Sequence, residues 1–327
     1  MAGSVALDQW RGAALLLVLL SHGLYFTDRV YGAGRVGVNL FFFISGLLVY
    51  RSLARNGDGG AFWWRRARRL VPALVGFVVL MLPIVVLFDD LDGYRSGVPS
   101  ALLFSMNYWP PAPPVSLGHL WSIACEMQFY AVAPVIFMLG GKGRLALLSA
   151  LLVLGVSAPL IDRAGLDKYH FEYAVWPMML GFCCERWKER LSDIVTSRVS
   201  WAALAVSAAA LALMPLGIQT KQLVIAGGSI SLVACFDGYV AGRAVPGLAG
   251  VALTWLGQRT YSIYLWQQPL TICGYLPAAL HPLGAAASAV VGALSFRWLE
   301  QPFLSSRRKP KIVAPRLPDT SPAGVPS

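Results

Sequence analysis

Arg69-Leu70-Val71-Pro72-Ala73-Leu74-Val75-Gly76-Phe77-Val78-Val79-Leu80-Met81-Leu82-Pro83-Ile84-Val85-Val86-Leu87-Phe88 decides the fold class. After Arg69 no charged side chain occurs up to Phe88. A helix of that length covers roughly 28 Å at about 1.5 Å per residue, close to the ~30 Å hydrocarbon core of a bilayer. The whole chain reads the same way. Of its 327 residues 57% are hydrophobic and 13% are charged, about half the charge of a soluble domain. Too little charge remains to coat a water-facing surface, so the expectation is an all-α integral membrane protein.

Ten apolar runs are long enough to be spans: 11–27, 36–51, 69–88, 119–139, 144–161, 172–184, 199–217, 222–240, 253–276 and 283–300. With the N-terminus in the cytoplasm, the inward loops carry Arg51, Arg55, Arg65, Arg66, Arg68, Arg69, Lys142, Arg144, Arg186, Lys188, Arg190, Arg198 and Arg243. The basic tail is inward too. The outward loops hold only Arg29, Arg35, Arg95, Arg163, Lys168 and Lys221. This asymmetry follows the positive-inside rule and predicts about ten spans with both termini cytoplasmic. It also accounts for the net charge of +11 without nucleic-acid binding. The first run shows no cleavage site behind it and reads as a span rather than a leader. Five cysteines in or beside apolar runs do not form a disulfide framework, and no Cys-x-x-Cys pair calls for a metal. One transmembrane domain is expected over 1–304 and a disordered cytoplasmic tail over 305–327. The loop 89–118, with Asp89, Asp90, Asp92 and the prolines of 110–114, is expected to be extended.

Ionisable residues within spans are functional candidates. His22 follows Arg11 by eleven residues, about 16 Å along a helix and nearly on the same face. That places Arg11 at the inner edge and His22 deep in the first span, as a proton acceptor or as a structural histidine bonded to a neighbouring helix. Arg65, Arg66, Arg68 and Arg69 at the inner end of the third span are either topogenic charge or a cluster able to grip phosphates. His119 and Glu126 lie two turns apart on one face, with Ser122 one turn from each. They form an acceptor-side site or a structural polar network. Gln128 faces elsewhere. Ser45 and Gly46 read as small residues for close helix packing, and Cys125 as an inert buried thiol.

In order and spacing these segments resemble acyltransferase family 3, the integral membrane acyltransferases. Leu7-Asp8-Gln9-Trp10-Arg11-Gly12 followed by His22 is similar to the family's opening and its Arg-x10-His motif. Phe42-Phe43-Ile44-Ser45-Gly46 and Arg65-Arg66-Ala67-Arg68-Arg69-Leu70-Val71-Pro72 match the next two motifs. His119-Leu120-Trp121-Ser122 through Glu126, Gln128, Phe129 and Tyr130 matches the fourth. Tyr261-Ser262-Ile263-Tyr264-Leu265-Trp266 and Leu299-Glu300-Gln301-Pro302-Phe303 match the closing ones. Three positions depart: Gln267 stands where histidine is usual, Asn39 where aspartate is common, and Met127 replaces a second glutamate.

The resemblance implies O-acyl transfer, acetyl above all, from acyl-coenzyme A as co-substrate to a hydroxyl of a carbohydrate or glycoconjugate, in the plasma membrane of a bacterium. No permanently bound cofactor is implied. On that reading Arg65, Arg66, Arg68 and Arg69 hold the coenzyme A phosphates with help from Arg11, and His22 is the general base or mediates an acyl-enzyme step. His119, Glu126, Trp121 and Ser122 shape the acceptor side, and Tyr261 and Ser262 donate to the oxyanion. Some family members carry an extra extracytoplasmic domain. None is present in this sequence, so any relay partner is expected to be a separate protein. Two other readings stand beside the enzyme: a transporter for an envelope glycan or lipid, which moves substrate without consuming a thioester, and a structural partner in polysaccharide assembly. The acceptor, the acyl length, the face of access and the oligomeric state are open at this stage.

Overall fold

The computed structural model describes residues 2–24, 28–88, 91–108, 114–139, 141–161, 169–194, 220–273, 275 and 277–304. The expected span 199–217 and the expected tail 305–327 lie outside them. Among the described residues the structure is helical, without strands. The helices that matter for the site are α1 (Ala2–Gly23), α2 (Asp28–Asn56), α3 (Gly59–Phe88), α4 (Leu91–Leu102), α5 (Val115–Gly118), α6 (Trp121–Met138), α7 (Gly141–Ile161), α8 (Phe171–Ala174), α9 (Trp176–Arg186), α10 (Lys188–Ile194), α11 (Thr220–Val240), α12 (Gly247–Gln258), α13 (Thr260–Gln267) and α14 (His281–Ser295). A π-helical turn, Phe296–Glu300, continues α14 into the short α15 (Gln301–Leu304).

Among the described residues five helical stretches are long and apolar enough to cross a membrane by length and composition: Ser4–Gly23, Ala33–Arg55, Gly59–Phe88, Val115–Met138 and His281–Leu304. They coincide with five of the ten expected runs. Runs 144–161 and 222–240 fall on α7 and α11. The other two described runs are broken. Run 172–184 is divided at Val175, where α9 begins with Pro177 in its first turn. A proline fits there because its missing N–H would have had no partner. Run 253–276 is not one helix. It breaks at Arg259, where the Thr260 hydroxyl donates to the carbonyls of Leu256 (3.1 Å) and Gly257 (3.0 Å). After Gln267 it turns at Gln268-Pro269-Leu270, and the Thr271 hydroxyl takes the Gln267 carbonyl (2.6 Å). Side-chain hydroxyls thus replace ladder bonds where the helix opens.

The loop 89–118 also departs from expectation. Its described part is helical over α4, with Pro99 inside, over the single turn Met106–Tyr108 and over the short α5. The prolines at 110–113 lie outside the described residues. Tyr94 anchors α4 by donating to the Val78 carbonyl at 2.7 Å.

α2 is the centre of the bundle, packed by α1, α9 and α11. Its crossing with α9 is backbone against backbone. A Cβ on Gly46 would stand 1.9 Å from the Met178 carbonyl oxygen, and one on Gly181 2.0 Å from that of Phe43. Small residues that admit such close approach stand in for the hydrophobic drive that lipid removes. Polar stitches then fix the neighbours. Gln9 donates to the carbonyls of Val245 (3.0 Å) and Gly250 (3.2 Å) and accepts from the Val245 N–H (2.7 Å), holding α1 to the start of α12. Arg51 pairs with Glu185 at 3.0 Å, and the Tyr239 hydroxyl donates to the same carboxylate at 2.8 Å, tying α2, α9 and α11.

Gly46→Ala is therefore expected to lower the melting temperature in detergent by several degrees, since overpacking costs about 1–3 kcal/mol. Gly141→Ala, where an added Cβ meets nothing within 4 Å, is the matched control and should leave the melting curve unchanged.

Candidate functional site

Arg66 and Arg69 are three residues apart near the start of α3 and so share a face. That start is set by Asp58, whose carboxylate accepts the N–H groups of Gly60 (2.8 Å) and Ala61 (3.1 Å), the usual answer to unpaired donors at a helix N-terminus. Both arginines line a cavity between α1, α2, α3, α6 and α13, which Arg11 enters from α1. Glu126 and Tyr130 on α6, Ser45 on α2, and Ser122 and Tyr261 complete its polar wall; Val38, Phe41, Phe42, Leu70 and Ile123 make the apolar one.

Each charge has an answering group. Arg11 Nη1 lies 3.8 Å from Asp8, one turn back on α1. Arg69 Nε lies 3.2 Å from Glu300, whose side chain is fully buried, and the Ser262 hydroxyl donates to the other Glu300 oxygen at 2.8 Å. The π turn at the end of α14 carries Glu300 to that position. Such turns insert one extra residue and recur at functional sites. The Arg66 guanidinium lies over the Tyr130 ring at 4.9 Å and the Phe62 ring at 5.4 Å. Glu126 accepts hydrogen bonds from both the Ser45 and the Tyr130 hydroxyls through its Oε1.

The site thus gathers Arg11, Arg66, Arg69, Glu126, Ser122 and Tyr261 of the expected residues and leaves others outside its lining. Arg65 is exposed, and Arg68 donates to the Phe303 carbonyl at 3.2 Å. On a helix, four arginines in five residues cannot all face one way. The hydroxyl of Tyr261 is directed to the Leu70 carbonyl (2.8 Å), and that of Ser262 to Glu300. Ser122 bonds the Tyr264 hydroxyl at 2.7 Å.

The two histidines stand beyond the cavity wall. His22 bonds Gln267 through Nδ1. His119 lies in the turn just before α6, is buried, and bonds the Leu265 carbonyl through Nε2 at 3.0 Å. Its ring packs edge-on to Phe77 with centroids 5.7 Å apart. Trp121 stacks obliquely on Tyr169 at 4.9 Å, with the Arg35 guanidinium 5.1 Å from each ring. Gln128 turns away, as expected, and pairs with Asn107 (3.0 and 2.8 Å).

Three residues have roles in the site that the sequence does not assign to them. Ser45 is expected to pack with Gly46, but only Gly46 does that work; Ser45 faces Glu126. Tyr130, one turn beyond Glu126, was readable only as part of a motif. Glu300 is expected only as part of a closing motif, although it carries the signal that identifies the others, a carboxylate at the end of an apolar run.

A family model described as an acyltransferase domain, that of acyltransferase family 3, matches residues 4–299. The peptidoglycan O-acetyltransferase OatA of Listeria monocytogenes is 26% identical over 91% of this chain and 55% of its own length. YrhL of Bacillus subtilis, provisionally named a peptidoglycan O-acetyltransferase, is 27% identical over 90% of this chain and 54% of its own. SACOL0978 of Staphylococcus aureus, provisionally named an O-acetyltransferase, is 24% identical over 91% of this chain and 56% of its own. The chain spans about half the length of these curated relatives. No solved structure gives a significant match. With a family model that covers nearly all of it, the chain belongs to acyltransferase family 3, and it is a multi-pass membrane member of that family.

Proposed function

We propose that this protein is an O-acetyltransferase that moves the acetyl group of acetyl-coenzyme A to a hydroxyl of a carbohydrate polymer, of the peptidoglycan kind named for its relatives. The observation that carries this reading is the cavity, in which three guanidinium groups meet a carboxylate held by two hydroxyls. Arginines bind phosphates bidentately, so Arg11, Arg66 and Arg69 receive the coenzyme A phosphates. Arg65 and Arg68 add positive potential at the mouth. The bundle is completed to about ten spans with both termini cytoplasmic, in a bacterial plasma membrane. The distribution of basic loops supports that orientation, and it opens the arginine side to the cytoplasm, where acetyl-coenzyme A is made.

In the reaction the acceptor oxygen forms a bond to the acetyl carbon and the carbon–sulfur bond of the thioester breaks. His22 takes the acceptor proton and returns it to the coenzyme A thiolate. Glu126 orients the hydroxyl, supported by Ser45 and Tyr130. His119 and Trp121 line the acceptor side, and Ser122 holds Tyr264 at the boundary between the two. Tyr261 and Ser262 act through their partners, the Leu70 carbonyl and Glu300, and keep α13 and Arg69 in place.

Calorimetric titration with acetyl-coenzyme A tests the donor site. Arg66→Ala is expected to weaken binding about 10- to 100-fold, the loss of a charged hydrogen bond worth about 1.5–3 kcal/mol. Equal affinity in the variant would remove the donor from this cavity. Release of coenzyme A thiol with a chitin oligosaccharide as acceptor tests the chemistry. His22→Ala should lose about 10²-fold or more in kcat, and Glu126→Gln at least about tenfold, with acetyl-coenzyme A binding kept in both. A folded His22→Ala protein with normal turnover would sink this scheme.

A further inference from the structure

Gln267 is fully buried in the last turn of α13. Its Oε1 meets His22 Nδ1, and its own carbonyl is held by the Thr271 hydroxyl at 2.6 Å, so the residue is fixed at both ends. An amide oxygen can only accept, so the ring nitrogen it faces carries the hydrogen. A neutral imidazole has one N–H, and placing it on Nδ1 leaves Nε2 as a bare acceptor. A histidine at position 267 could give or take this proton; a glutamine with Oε1 toward His22 permits one arrangement.

The surroundings suit a substrate on this side. Gln267 Nε2, a donor, and His119 Nδ1, an acceptor because its Nε2 is committed to the Leu265 carbonyl, are both buried and make no hydrogen bond with the described residues. Buried polar atoms are rarely left so. The elements packed on α1 carry ionisable groups of their own, among them Arg35 on α2, Tyr261 and Tyr264 on α13 and His281 at the head of α14. His22 and His119 are electrostatic neighbours.

We propose that Gln267 is the positioning residue of His22: it holds the imidazole as its Nδ1–H tautomer, so that Nε2 is the atom that takes the acceptor proton. This rests on the reading of His22 as general base.

The test uses the full chain labelled with ¹⁵N-histidine in lipid nanodiscs at alkaline pH. The chain has four histidines, and the spectrum of a His22→Gln variant assigns His22. The native protein should show the proton of His22 on Nδ1, and Gln267→Leu should move it to Nε2. In the thiol-release assay Gln267→Leu should lose about tenfold or more in kcat, as an imidazole in the wrong tautomer does, at unchanged KM for acetyl-coenzyme A. Gln267→Glu keeps an acceptor and should recover part of that loss. An Nε2–H tautomer in the native protein, or Gln267→Leu within twofold of the native kcat, overturns the proposal. If His22→Ala alone keeps normal turnover, the general-base reading fails instead, whatever tautomer the spectrum records.

Discussion

Charge placed between helices has to be answered by an opposite charge, a hydroxyl or a ring, because little water is at hand to solvate it. The ion pair of Arg69 with the buried Glu300 is the interaction on which the rest of this site depends. It joins α3 to the end of α14 and, through Ser262, to α13. Breaking such a pair strands the remaining charge and costs about 3–5 kcal/mol. With Arg69 fixed, Arg66 is presented to the cavity from the same face, over the ring of Tyr130. Tyr130 in turn holds Glu126, which Ser45 reaches from α2. Five helices are thus referred to one polar centre.

The apolar wall has a different origin. α2 approaches α9 at backbone distance through Gly46 and Gly181, and this fixes where Ser45, one residue earlier, can stand. A larger residue at either glycine would move the hydroxyl away from Glu126. Packing and chemistry share neighbouring positions on this helix, which explains why a short motif holds both.

Much of this was legible in the sequence, and the failures have physical causes. The apolar runs marked the helices correctly where a run is uninterrupted, as in α3. They failed at 253–276, where hydropathy stays high while Thr260, Pro269 and Thr271 redirect the backbone. Hydropathy records burial, and a buried turn whose carbonyls are met by hydroxyls is as apolar in composition as a helix. The arginine cluster was visible, but its division into cavity-facing Arg66 and Arg69, exposed Arg65 and outward-tied Arg68 needs the helical phase and the position of the last helix. The Arg11–His22 spacing located both residues on α1. It could not reveal that Gln267, 245 residues later, closes on the histidine, since no local pattern encodes a contact between the two ends of a chain.

The π turn at 296–300 has a further consequence for how much change this fold tolerates. A turn of that kind accommodates one residue more than an α-helix over the same rise. Deleting a single residue within it would therefore return the segment to regular α-helix and leave both flanks close to their present phase, whereas a second deletion would have no spare residue to draw on and would rotate everything beyond by about 100°. Glu300 would then leave Arg69, and an arginine meant for phosphate would be left with an unanswered charge in the bundle. Substitutions along α14 are graded in effect, whereas length changes near its end pass from tolerated to disruptive within one residue: the phase of the helix, more than the identity of most of its residues, is what the site requires.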